Sequence, residues 1–247
     1  MLESIQTWLR SRNGMGLVLG LAIGLLIVAV GLAVMKRDAA DVAVGAQEVP
    51  FLEGTHYATL PEPIDLGSDQ ITVTEFFWYG CPHCQRFEPL LNQWLSTAPD
   101  DVVFFRSPVV WRPGAMELHA KTYFLATEAE QSVSLHEALF VAIDEYKNER
   151  NLFKQEKALA EVFAKHDFPA QTYLDRLRDP GLEGLVEQAV TLSGKAGIGG
   201  TPSMIVDGRY RVLNDSIRSN REMLEVVDFL IELARAQRLS ATAAASS

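Results

Sequence analysis

The sequence predicts an α/β protein whose sheet is interrupted by a helical segment. Residues 71–78, "ITVTEFFW", form a β-branched and aromatic run that is long enough for a buried strand. Apolar residues then recur at helical spacing from Phe87 to Trp94, and "DVVFF" at 101–105 is the next candidate strand. Strand signals return only at 201–213, "TPSMIVDGRYRVL", after a long helical region. The two halves of the sheet are therefore separated by an insertion.

Helical patterning dominates the middle of the chain. The segment "SLHEALFVAIDEY" carries Ser134 and Glu137 at the spacing of a capping box, followed by one apolar face. Further helical patterns are separated by turn residues and cover 157–166, 170–178 and 182–194.

The last part of the chain predicts a hairpin and a terminal helix. Asp207 and Gly208 lie between two apolar runs and favour a type I′ turn. Ser219 and Glu222 have capping-box spacing, and apolar residues follow from Met223 at helical intervals.

The N-terminal region contains one apolar stretch. Residues 14–35 hold no charged side chain, and at about 1.5 Å per residue such a helix spans a bilayer core of about 30 Å. Lys36 and Arg37 follow directly, and the apolar region of a signal peptide is typically shorter, about 7–15 residues. We therefore expect a retained membrane anchor. The alternative is a signal peptide that is cleaved after Ala46.

These patterns divide the chain into seven expected segments. They are an N-terminal cytoplasmic segment (1–13), a transmembrane helix (14–35), a linker (36–47), the first part of the α/β domain (48–112), an inserted helical subdomain (113–195), the second part of the α/β domain (196–238) and a disordered tail (239–247). The formal net charge of −10 argues against a nucleic-acid partner.

The two cysteines of the chain, Cys81 and Cys84, follow the first strand as "CPHC". Structural zinc needs about four ligands, and the five histidines supply no H-x₃₋₅-H pair to complete a site, so no metal is expected. A purely structural disulfide would close a very short loop and constrain the unfolded chain little. Redox chemistry is the remaining reading.

Local chemistry favours a redox dithiol. Pro82 suits the first turn of a helix, so Cys81 lies at a helix N-terminus, where unpaired N–H groups and the helix dipole lower a thiol pKa. His83 can add a positive charge or a hydrogen bond. Cys84 lies one turn further in and is suited to resolving a mixed disulfide. A stabilised thiolate at Cys81 favours the reduced form and makes the disulfide oxidising.

The segments "EFFWYGCPHCQRFE" (75–88) and "GTPSMIVDGRY" (200–210) resemble the DsbA-type thiol:disulfide interchange proteins of the thioredoxin superfamily. The resemblance extends from about residue 51 to 233. It implies a thioredoxin-like fold with a helical insertion and a catalytic Cys81–Cys84 pair. It also implies a cis-proline at Pro202 beside the dithiol, preceded by Thr201, whose backbone pairs with substrate.

Three charged residues carry over from the same resemblance. Glu75 matches the buried acid that exchanges protons with the second cysteine, and an acid inside an apolar strand is costly when charged. The alternative is an edge glutamate that reaches solvent. Glu88 and Arg106 match an acid and a basic partner near the active site that tune its electrostatics, or they are ordinary surface charges.

The sequence thus predicts a membrane-tethered, periplasm-facing thiol:disulfide oxidase without a cofactor. By resemblance, its substrates are exported cysteine-containing proteins, and a quinone-linked membrane partner of the DsbB kind reoxidises it. We expect a monomer in the inner membrane, or a soluble periplasmic protein if the N-terminal segment is cleaved. Two alternatives stay open: a disulfide reductase or isomerase, and a membrane-anchored assembly subunit whose dithiol is idle.

Overall fold

A computed structural model of the protein describes residues 51–146 and 149–245. The predicted cytoplasmic segment, transmembrane helix and linker, up to residue 47, lie outside these residues. Within the described ranges, no helix is both long enough and apolar enough to cross a bilayer.

In this part of the chain, the sheet has five strands in the order β1-β5-β4-β2-β3. Strand β2 is an interior strand: it pairs in parallel with β3 and antiparallel with β4. The β-α-β unit predicted from the sequence is β2, α1 and β3. The strands are β1 (Tyr57–Thr59), β2 (Ile71–Phe77), β3 (Val102–Pro108), β4 (Ser203–Val206) and β5 (Tyr210–Val212).

In the described residues between β3 and β4, five helices occupy the place of the predicted insertion. The helices in chain order are α1 (Pro82–Leu95), α2 (Ala115–Thr127), α3 (Ser132–Glu145), α4 (Leu152–Ala164), α5 (Ala170–Arg176), α6 (Pro180–Lys195) and α7 (Asn220–Ala245). A short 3₁₀ turn covers Asn214–Ser216. This is a thioredoxin-like α/β fold with a helical insertion.

The buried side chains place the dithiol where the sheet meets the insertion. One cluster joins Ile71 and Val73 of β2 to β4, β5, α7 and the buried face of α1. A second cluster packs Phe77, Tyr79 and both cysteines against α2 to α5. The cysteines therefore lie at the end of β2, beneath the helical subdomain.

The two predicted capping boxes have different outcomes. Helix α3 begins at Ser132, so Ser134 lies inside its first turn and donates to the Gln131 carbonyl instead of capping. The apolar periodicity located this helix correctly, but the box did not locate its start. At α7, Ser219 Oγ accepts from the Glu222 N–H at 3.1 Å as predicted, while the Glu222 carboxylate accepts from the Arg218 N–H rather than from Ser219.

The predicted hairpin turn is confirmed. Asp207 and Gly208 both have positive φ, near 57°, and the Arg209 N–H donates to the Val206 carbonyl at 3.0 Å. Positive φ at both central positions is the requirement of a type I′ turn.

Two parts of the fold differ from the sequence prediction. Helix α7 continues to Ala245, through most of the segment predicted to be a disordered tail, because its alanines have the highest helix propensity. Helix α2 was not delimited from the sequence. It is buried on several sides, so its apolar residues do not form a single stripe.

Candidate active site: a dithiol above a buried acid pair

Helix α1 presents the dithiol. Cys81 is the N-cap residue with extended backbone angles, and Pro82 occupies the first turn, where its missing N–H costs no hydrogen bond. The Cys81 N–H donates to the Trp78 carbonyl at 2.9 Å, which holds the turn between β2 and α1 closed. Both cysteines are free thiols, so the structure represents the reduced protein.

Hydrogen bonds favour the thiolate of Cys81. The largest contribution is the Cys84 thiol, which donates to the Cys81 sulfur; the backbone N–H groups of Cys84 and His83 contribute as well. Burial opposes these donors, and the balance lowers the pKa of Cys81 to about 5. The direction agrees with the acidic thiol predicted at this helix N-terminus, and the neighbouring Cys84 thiol contributes more to it than the backbone N–H groups do.

Cys84 has the opposite environment. Its side chain is 0% exposed, and burial raises its pKa well above the ordinary thiol value. Its hydrogen bond to Cys81 acts in the same direction, as do the charges of Cys81 and Glu75 when these groups are ionised. The predicted asymmetry between an acidic first thiol and a shielded, protonated second thiol is confirmed.

The Thr201–Pro202 bond is cis, as predicted. The Thr201 carbonyl lies beside the dithiol and accepts from Cys81 Sγ at 3.3 Å. This contact favours the thiol, whereas a hydrogen bond from the Thr201 side chain favours the thiolate. The pKa of Cys81 is lowered overall because the several donors around its sulfur outweigh this one long contact to a carbonyl. The Thr201–Pro202 step thus lies beside the Cys81 sulfur.

A buried acid pair lies behind the cysteines. Arg106 donates through Nε to Glu75 Oε2 at 3.1 Å and through Nη2 to Glu88 Oε2 at 2.9 Å. Glu75 is 0% exposed and belongs to the interior strand β2, so the alternative of an edge glutamate reaching solvent is wrong. Glu88 is also buried, so these two residues and Arg106 are not ordinary surface charges. Strand register brings the Glu75 and Arg106 side chains together, because these residues are paired neighbours on β2 and β3.

The pKa of Glu75 is raised to about 8. Burial is the main cause and the negative charge of Glu88 the next, while Arg106 acts in the opposite direction. The Oε1 atom of Glu75 has no hydrogen-bond partner among the described residues. Glu75 is therefore a carboxylic acid able to hold or release a proton near neutral pH.

Two residues that the sequence analysis did not select complete this buried network. His136 Nε2 lies 3.3 Å from Glu88 Oε1, and His136 Nδ1 lies 2.7 Å from the Tyr79 hydroxyl. A signal for His136 was present: it is next to Leu135 and one turn before Phe140, on the buried side of α3. Its partner acid belongs to another helix, and residue spacing contains no information on that contact.

His83 lies in the active-site turn, but its ring is exposed. Its Nδ1 lies 3.1 Å from Arg86 Nη2. The backbone N–H of His83 lowers the pKa of Cys81, whereas an electrostatic effect of its ring stays a prediction. Across residues 51–146 and 149–245, no three His, Cys, Asp or Glu side chains come together in a way that could hold a metal ion.

The fold and the site define the class of the protein: a thioredoxin-like protein with a redox-active pair of thiols. A family model described as "Thioredoxin" matches residues 68–227. The chain is 31% identical over 221 residues to the thiol:disulfide interchange protein DsbA of Azotobacter vinelandii, which covers 89% of this chain and 97% of the relative. Its identity to the Pseudomonas aeruginosa PAO1 protein of the same name is 31% over 206 residues, with coverages of 83% and 96%.

Solved structures of DsbA proteins have the same fold. The crystal structure of Pseudomonas aeruginosa DsbA has a TM-score of 0.67 at 31% identity, covering 76% of this chain and 96% of that one. The oxidoreductase DsbA from Xylella fastidiosa has a TM-score of 0.68 at 27% identity, with coverages of 75% and 98%. The chain belongs to the thioredoxin family, within its DsbA group of thiol:disulfide interchange proteins. It is a thiol:disulfide oxidoreductase.

Proposed function

We propose that the protein is a periplasmic disulfide oxidase that introduces disulfides into exported proteins and is held at the inner membrane by residues 14–35. The observation that carries the oxidase activity is the contrast between the two thiols. The pKa of Cys81 is lowered to about 5, whereas that of Cys84 is raised. Stabilising the thiolate of the reduced form makes the disulfide a stronger oxidant. The DsbA names of the relatives agree with this direction.

The catalytic cycle follows from the positions of the two sulfurs. A substrate thiolate attacks Cys81 Sγ of the disulfide, the Cys81–Cys84 bond breaks, and Cys84 leaves with the electron pair and takes a proton from Glu75. The second substrate thiolate then attacks the substrate sulfur of the mixed disulfide, and Cys81 leaves as a thiolate. Two electrons have passed from the substrate to the protein. Cys81 is the attacked sulfur because Cys84 is 0% exposed.

The other residues of the site have supporting roles in this proposal. The Thr201 backbone pairs with the substrate chain beside Pro202, while Pro82 and the backbone of His83 shape the turn that stabilises the Cys81 thiolate. Glu88 and Arg106 tune the acidity of Glu75. A quinone-linked membrane partner of the DsbB kind reoxidises the dithiol.

A redox titration separates the oxidase from a reductase. The protein is equilibrated with mixtures of reduced and oxidised glutathione, and the fraction of free Cys81 thiol is measured by alkylation. An oxidase gives a dithiol that glutathione reduces readily, together with rapid oxidation of a reduced peptide containing two cysteines. A dithiol that remains oxidised in reducing glutathione mixtures, near the poise of thioredoxin at about −270 mV, contradicts the oxidase proposal.

The tether is tested separately on the protein from cells. We expect it to fractionate with membranes, to resist extraction at high salt and to retain its first residues. N-terminal sequencing that begins at Gln47 would show that the segment is cleaved and would refute the tether while leaving the oxidase proposal intact.

A further inference from the structure

Behind the dithiol, the two buried carboxyl groups of Glu75 and Glu88 share the positive charge of Arg106. The first is 0% exposed and the second 4% exposed, so little solvent screens a second negative charge. Two carboxylates that compete for one guanidinium in such a site retain a proton on one of them near neutral pH.

The hydrogen bonds decide which carboxyl group holds this proton. Both oxygens of Glu88 have partners, since Oε2 accepts from Arg106 and Oε1 lies 3.3 Å from His136 Nε2. Glu75 is bound by Arg106 only through Oε2, and its Oε1 has no partner among the described residues. The proton therefore resides on Glu75, in agreement with the raised pKa of this residue.

His136 is held as a neutral hydrogen-bond donor. A carboxylate can only accept, so the Nε2–H of His136 donates to Glu88, and Nδ1 accepts from the Tyr79 hydroxyl at 2.7 Å. Burial lowers the pKa of His136 and raises that of Tyr79, so the ring stays neutral and the phenol keeps its proton.

We propose that His136 is a positioning residue of the dithiol reaction: by donating to Glu88 it holds Glu88 as the charged partner of Arg106 and so leaves the transferable proton on Glu75. The inference rests on the proposed function, because the proton on Glu75 is the one that Cys84 takes when it leaves the disulfide. Tyr79 supports His136 by fixing its tautomer. Through the His136 side chain of α3, the helical insertion thereby influences which of the two acids carries the proton that Cys84 takes.

The titratable and charged groups around His136 come from five elements. They are Tyr79 after β2, Glu88 on α1, Arg106 on β3, Tyr123 on α2 and Glu137 on α3 itself. Of these, Glu88 alone makes a carboxylate hydrogen bond to the His136 ring. Removing that bond leaves Glu88 Oε1 buried without a hydrogen-bond donor, which disfavours the charged form of Glu88. The proton held by the acid pair then moves from Glu75 towards Glu88. The charge of Arg106 is then no longer divided between two carboxylates and stabilises the ionised form of Glu75.

The test is the titration of Glu75 in the oxidised protein, followed by NMR of ¹³C-labelled glutamate carboxyl groups. His136→Phe removes the donor and keeps a ring of similar size. The pKa of Glu75 should then fall by about one unit or more, since a cation that acts undivided on a carboxylate lowers its pKa by that amount. His136→Gln offers an amide donor and should retain most of the wild-type value.

His119→Phe is the matched control. His119 is also a buried histidine of the insertion, but its partners are the Trp78 indole and Gln155, and neither is an acid. Its replacement costs packing and hydrogen bonds of the same kind and should leave the Glu75 titration unchanged. An equal shift in this control would overturn the proposal, because the shift would then report general loosening of the insertion.

A double-mutant cycle tests the route through Glu88. In a Glu88→Gln background, His136→Phe should cause no further shift of Glu75, whereas an undiminished shift refutes the route. Tyr79→Phe gives a second, milder variant that should shift Glu75 in the same direction by less. Unchanged Glu75 titrations in both His136→Phe and Tyr79→Phe overturn the proposal. These titrations need no substrate, so they can fail while the oxidase assay succeeds, and the reverse.

Discussion

The two sulfurs of the dithiol are three residues apart on one helix and have opposite chemistry. Cys81 caps α1 and receives hydrogen bonds from the Cys84 thiol and backbone N–H groups, which lower its pKa to about 5. Cys84 is fully buried and donates to Cys81, and its pKa is raised, mainly by burial. Helix position alone does not set the acidity of a thiol; the donors and charges around each sulfur do.

The largest expected effect comes from replacing each sulfur in turn. Cys81→Ser should abolish oxidation of a dithiol peptide, because the attacked sulfur is gone. Cys84→Ser should trap substrates as mixed disulfides on Cys81, since the internal resolving thiol is missing. Non-reducing electrophoresis with mass spectrometry checks both. If Cys81→Ser trapped the substrates instead, the assigned roles would be reversed.

Arg106 is the cation that pairs with the buried acids Glu75 and Glu88 near Cys84. Arg106→Met leaves the carboxyl groups of Glu75 and Glu88 without their cation, and breaking a buried pair in this way costs about 3–5 kcal/mol of unfolding free energy. Urea unfolding of the oxidised protein measures the loss. Arg218→Met is the control, because the Arg218 side chain is 87% exposed and solvent screens its pair with Glu222, so its loss should change the unfolding free energy far less. Equal losses in the two variants would contradict the special role of the buried pair.

The pH dependence of stability should differ between the two redox forms. The pKa of Glu75 is raised from 4.5 to about 8, so its contribution to stability is complete below 4.5 and is lost as the pH rises through 8. The pKa of Cys81 is lowered from 9.0 to about 5, so its contribution is complete above 9.0 and is lost as the pH falls through 5.

Between pH 5 and pH 8, these two contributions oppose each other in the reduced protein, whereas the oxidised protein has no Cys81 thiol. We therefore expect the oxidised protein to lose stability over this interval and the reduced protein to gain stability relative to it. Urea midpoints of both forms at pH 5 and pH 8 provide the measurement. A parallel response of the two forms would show that folding does not lower the pKa of Cys81.

The smallest effect is expected at His83. Its ring is exposed and lies 3.1 Å from Arg86, while its backbone N–H remains in any variant. His83→Ala should raise the pKa of Cys81 by less than about one unit, because exposed charges interact weakly. Thiolate absorbance of the Cys84→Ser variant, with and without His83→Ala, measures the shift. A larger rise would mean that the ring, and not the backbone, dominates the stabilisation of the thiolate.

Local patterns predicted much of the fold and of the site. The apolar run at 71–78 located β2, the C-x₂-C pair after it located the dithiol, and Asp207-Gly208 located the hairpin. Each of these signals spans a few neighbouring residues. The cis bond before Pro202 followed from family resemblance and is present in the structure.

Other sequence signals failed or were incomplete. Ser134 and Glu137 have capping-box spacing, yet α3 begins two residues earlier, and Ser134 donates to a backbone carbonyl. Residues 239–245 look like a polar, small-residue tail but continue α7. His136 has the spacing of an ordinary core residue of α3, and nothing near it in sequence reveals its acid partner.

By itself, the sequence determined the candidate site residues: a dithiol at a helix N-terminus, an acid inside an apolar strand, and a Thr-Pro step before a strand. These features are local, because helix dipoles, backbone preferences and apolar runs act over a few residues. Only the tertiary structure decided how the acids are charged. Glu75, Glu88 and His136 come from β2, α1 and α3, and they meet only when the insertion packs on the sheet. Burial and a single shared guanidinium then place the proton, and neither exists in the unfolded chain.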